Sequence, residues 1–83
     1  MTQILEKYET PNITLATMLY SLSIPLSHVT LSGRNGNLGI FHFTNVPAEL
    51  LTGFDQGVLR VEPQVFHMYL RRLTAMVKGV ING

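Results

Sequence analysis

Between the first two prolines, apolar residues recur at helical spacing. Leu15, Leu19 and Leu22 form one line, flanked by Ala16, Met18 and Tyr20. Thr10-Pro11 opens the segment, because a threonine hydroxyl can cap free amides and a proline at the first helical position gives up no hydrogen bond. Pro25 closes it, since the residue before a proline avoids the helical region. A helix is predicted over 11–23. Ahead of it, residues 1–9 mix apolar and charged side chains without a helical stripe, which predicts an extended arm or an edge strand. Residues 28–44 read as a β-hairpin: Val29-Thr30-Leu31 leads into Gly33-Arg34-Asn35-Gly36-Asn37, and Leu38 to Phe43 return. Asn-Gly favours such turns because both residues tolerate positive φ. A two-residue turn at Asn35-Gly36 sets Leu31 opposite Ile40 and Val29 opposite His42. A three-residue loop over Asn35 to Asn37 sets Leu31 opposite Phe41 and Val29 opposite Phe43. Both registers are open to the sequence. In either, the second strand is apolar on both faces, with Leu38 and Ile40 on one and Phe41 and Phe43 on the other. A strand buried on one face alternates with polar residues, so the pattern suggests a partner.

Pro47 stands at a plausible first helical position, and Ala48, Leu50, Leu51 and Phe54 predict a short helix stopped by Gly57. Val58 to Val61 would fit a brief strand. Glu62-Pro63 opens the longest element, a helix over 63–80. At 100° per residue, Phe66, Tyr69, Leu70, Leu73, Met76, Val77, Val80 and Ile81 share one broad face of it. His67, Arg71, Thr74 and Lys78 lie opposite, and Gln64, Met68, Arg72 and Ala75 complete the outer surface. The order predicts one α+β domain spanning 1–83. A small antiparallel hairpin sheet, with room for a third short strand, packs against two or three helices, the longest C-terminal.

The Leu15-Ala16 helix, the Gly33-to-Phe43 hairpin ending Phe41-His42-Phe43, and the block from Phe54 through Gly57, Val61-Glu62-Pro63 and Phe66 to Leu70-Arg71 and Leu73 resemble a family of short phage and bacterial proteins. That family is catalogued only as a domain of unknown function. The likeness covers most of residues 10–80. It implies an α+β fold and a phage or mobile-element origin, and it brings no catalytic residues. Glu62 stands where members often carry Asp, a better helix cap.

Composition sharpens the suggestion of a partner. Charged residues make up 13% of the 83-residue chain and apolar ones 46%, where an average soluble domain carries about 25% charged residues. A chain this short buries only roughly 60–65% of its unfolded surface, so much apolar material is left for another chain to cover. A net charge of +1 gives no strong field for nucleic acid or membrane. With no cysteine, disulfides, thiolate zinc sites and Cys nucleophiles are excluded. The N-terminus lacks the pattern of a signal peptide and no run reaches membrane-spanning length, which predicts a cytoplasmic protein, in the host cell if phage-encoded, without membrane contact.

Specific chemistry is thin. His28 and His42 would approach each other on paired strands, but no third ligand sits at metal-binding spacing. Gly33, Gly36 and Gly39 lead into a strand rather than a helix N-terminus, so they suit a hairpin and not a phosphate loop. Glu6, Glu9, Glu49, Asp55 and Glu62 are dispersed, and no His–acid pair or nucleophile elbow is evident. No enzyme, metal or cofactor is expected. Arg60, Arg71, Arg72 and Lys78 form the best basic feature, a face for phosphate contacts. Leu38, Ile40, Met68, Tyr69, Met76 and Ile81 are the expected oligomer contacts, and Met18 with Met68 would suit a protein-binding surface. The expectation is a non-catalytic, homo-oligomeric accessory or interaction protein. It binds its own copies and, beyond them, another protein. The alternative is a small nucleic-acid-binding module using the basic face of the last helix.

Overall fold

A computed structural model describes residues 3–33, 36 and 38–82. The elements run β1 (Ile4–Thr10), α1 (Ile13–Ser21), β2 (Leu26–Ser32), β3 (Leu38–Pro47), α2 (Ala48–Asp55) and α3 (Pro63–Asn82). They make an α+β fold whose sheet has the order β1-β3-β2, with both pairings antiparallel. The third strand is therefore the N-terminal segment, as an edge strand. Val58 to Val61 form no strand and run as an irregular connection to α3.

Neither expected hairpin register is observed. Val29 pairs with Phe41, Leu31 with Gly39 and Ser32 with Leu38, which leaves five residues between the strands. Of these, Arg34, Asn35 and Asn37 lie outside the described residues. Gly36 N–H donates to the Gly33 carbonyl at 3.1 Å, and the turn expected at Asn35-Gly36 falls partly outside the described residues. Both glycines have positive φ, at 92° and 63°, a conformation open to glycine at little cost. Gly39 serves a different need. A Cβ there would stand 2.9 Å from Val77 Cγ2, so the missing side chain lets α3 approach the sheet.

The cap of α1 is Asn12, not Thr10. Its side chain accepts from the amides of Thr14 and Leu15 at 3.0 and 3.2 Å, and Thr10 Oγ1 accepts from Asn12 N–H one step earlier. Replacing Asn12 with alanine frees both amides. It is expected to cost about 1 kcal/mol, read as a fall in melting temperature of about 4–8 °C. The helix also ends sooner than Pro25 implies. Ile24 N–H reaches the Leu19 carbonyl and Ser23 N–H the Tyr20 carbonyl, with Ser23 at φ 65°. This is the Schellman closure that glycine usually supplies, and it leaves Leu22 exposed rather than in the apolar line. At α2 a glycine does supply it: Gly57 has φ 70°, and Val58 N–H reaches the Gly53 carbonyl. Pro47 is the residue before α2, with an extended ψ of 126°, and not its first helical position. Glu62 Oε2 accepts from Val65 N–H at 2.8 Å, so glutamate performs the capping expected of Asp at the start of α3.

The core joins Phe41, Phe43 and Val46 of β3 to Leu15, Ala16 and Leu19 of α1 and Leu73 of α3. Leu50, Leu51 and Phe54 of α2 pack against the same cluster. The helices therefore cover one sheet face. On β3 the alternation slips at Asn45, whose φ of 56° turns Val46 inward. Met18 is buried, so it is not part of a sticky surface.

Candidate functional site

Strand alternation sends His42 of β3, His28 and Thr30 of β2 and Glu9 of β1 to the face opposite the helices, and the pairing brings them together. His42 Nε2 lies 2.8 Å from Thr30 Oγ1, and its Nδ1 lies 3.4 Å from Glu9 Oε2. A carboxylate only accepts, so the favourable arrangement carries the imidazole proton on Nδ1 and lets Thr30 donate to Nε2. The His28 ring stacks on His42 at 4.2 Å and 7° between planes, and its Nδ1 meets Ser27 Oγ at 2.9 Å. A cleft of about 560 Å³ opens beside the pair, with Lys7, Glu9 and Ser27 on its walls.

The two histidines therefore meet, as the hairpin implied. Near-parallel stacked rings do not aim their nitrogens at a common point, whereas a metal needs convergent ligands at about 2.0–2.1 Å. Among the described residues no group of three potential ligands is placed to hold an ion. The His42–Glu9 contact corrects the expectation that no His–acid pair exists. Sequence alone could not find it, because it depends on which residue of β1 faces His42. Hydroxyl, imidazole and carboxylate follow one another as in a nucleophilic relay. Acyl transfer would also need donors aimed at the developing oxyanion and shelter from water, and here Thr30 and Glu9 are exposed. The contact with the well-exposed carboxylate of Glu9 contributes little energy.

The cations of the basic feature do not converge. Arg60 lies in the connection before α3, and Arg71 and Lys78 lie about 10 Å apart along the helix. The Arg72 guanidinium rests over the Tyr69 ring at 5.3 Å from its centroid. Arg34 lies outside the described residues.

The expected oligomer contacts divide. Tyr69 is half-buried in an edge-to-face contact with Tyr20, so its ring is engaged within the chain. Ile40 is half-buried on the open sheet face, and Leu38 is exposed beside Lys78. Met68, Met76 and Ile81 are exposed on α3 at 42%, 36% and 46%, with Val65 and Val80 as further apolar residues in the open. The inward face of α3 is thus narrower than its apolar content: Leu73 and Val77 join the core, and Phe66, Tyr69 and Leu70 are half-buried beside them. The cause is length. Twenty residues make a helix of about 30 Å, and its last turn leaves Val80 and Ile81 exposed.

Beside that overhang lies β2, an outer strand of the sheet. Leu26, Val29, Met76, Gly79 and Val80 line a groove of about 410 Å³ between strand and helix. The two edges of the sheet differ in charge. β1 carries Glu6, Lys7 and Glu9, whereas β2, Leu-Ser-His-Val-Thr-Leu-Ser, carries no carboxylate, lysine or arginine. Charges are the usual guard of an edge strand.

The surface is large for the mass. The chain exposes 5585 Å², where a folded monomer of 9.3 kDa exposes about 5000 Å². Its radius of gyration is 12.9 Å, against about 11.8 Å for a compact chain of this length. No helix among the described residues is long and apolar enough to cross a membrane. Compared with family models, with curated proteins and with solved structures, the chain matches none of them.

Proposed function

We propose that this chain is a non-catalytic accessory protein that acts as a homo-oligomer, of the phage or mobile-element kind its sequence resembles. The observation that carries the reading is the unguarded β2 edge beside the exposed apolar residues of α3. The pairing of Thr30, His42 and Glu9 with one another, in the open, favours a structural over a catalytic role for the polar face.

Sedimentation at micromolar concentration is expected to give a mass at least twice 9.3 kDa; a clean monomer overturns the proposal. Retention on heparin or DNA, lost steeply with salt and weakened by Arg71→Ala with Lys78→Ala, would favour the nucleic-acid reading instead. The scatter of the cations leaves that reading with less support.

A further inference from the structure

We infer that two copies join edge to edge through β2, antiparallel about a two-fold axis at Thr30, so that two three-stranded sheets become one of six strands. This rests on the self-association proposed above and names its surface. An outer strand leaves backbone N–H and C=O groups on its free side, and a second strand satisfies them.

The residues of β2 select the register. Directly opposite residues in an antiparallel pair face the same side of the sheet. With the axis at Thr30, Val29 of each copy meets Leu31 of the other on the helix side. Thr30 meets Thr30, and His28 meets Ser32, on the open side. Apolar residues face apolar ones, polar face polar, and no two charges are opposed. An axis at Val29 would instead set Leu31 against Ser27, at the register irregularity between Leu26 and His28. The β1 edge offers a less apolar join. An axis at Lys7 opposes two lysines and an axis at Glu6 two glutamates, while an axis at Tyr8 sets Lys7 against Glu9 and Glu6 against Thr10, with the two tyrosines as its apolar pair.

The groove beside β2 also gains an occupant. Leu31 of the second copy comes beside Val29, Met76 and Val80, residues that a lone copy leaves partly in water.

The absence of native cysteine makes the test clean. Opposed residues on an antiparallel pair have Cα atoms about 4.5–5.5 Å apart, within disulfide reach. Thr30→Cys, oxidised with diamide, is expected to give a covalent dimer, and Lys7→Cys on the other edge is not. Thr30→Lys opposes two lysines at the axis and is expected to raise the dissociation constant at least tenfold, with the circular dichroism spectrum unchanged. An oligomer that leaves Thr30→Cys unlinked, or that keeps its mass in a folded Thr30→Lys, overturns the edge pairing while self-association stands. A monomeric native chain overturns both.

Discussion

Phe41→Ala is expected to destabilise the fold by about 3–5 kcal/mol, the range for emptying a large aromatic site in a packed core. Phe41 sits on the central strand, paired with Thr10 of β1 on one side and Val29 of β2 on the other, and it is 1% exposed. Its ring touches the cluster that α1 and α3 share, so its loss opens a void where every layer meets. A chain of 83 residues has a net stability of only about 4–12 kcal/mol. The variant therefore gives up a quarter or more of its stability at 25 °C. Urea titration should show its midpoint falling by at least that fraction, or no native baseline at all. A midpoint within experimental scatter of the wild type would mean that this strand face does not form the core.

Much of this core is legible in the sequence. Pro11, Pro25, Pro47 and Pro63 punctuate the chain, and the apolar period of 3.6 after Pro11 and Pro63 marks two helices. What was hidden depends on backbone geometry that residue type does not specify. A two-residue turn at Asn35-Gly36 sets Leu31 opposite Ile40, yet the strands pair Leu31 with Gly39, a register shifted by one, and Gly33 as well as Gly36 has positive φ. That shift places Gly39 opposite Leu31, next to Val77. Ser23 ends α1 in a conformation that serine rarely takes, so a search for glycine misses it. The polar face was the least legible. Glu9 and His42 are 33 positions apart, and nothing short of the β1–β3 register joins them.

The apolar residues of α3 outnumber those its neighbours cover. Helical angles alone put Met76, Val80 and Ile81 with Leu73, because periodicity reports which residues share a face and not how far the rest of the protein extends beneath it. The surface left uncovered, Met76 and Val80 beside β2, is the candidate interface between copies.

Leu73→Ala separates the two roles of that helix. Leu73 is fully buried against α1 and β3, and its truncation is expected to cost about 2–5 kcal/mol whatever the protein concentration. Met76, one turn further on and 36% exposed, borders the β2 groove. Its truncation removes little from a single copy, and what it costs should depend on concentration, since an assembly is stabilised by mass action. Thermal melts at two concentrations a hundredfold apart read the difference. The Leu73 variant should lose the same stability at both, whereas the deficit of Met76→Ala should be confined to the condition in which the wild type is assembled. A concentration-dependent loss at Leu73 alone would reverse the assignment and make the inward face of α3 the contact between copies.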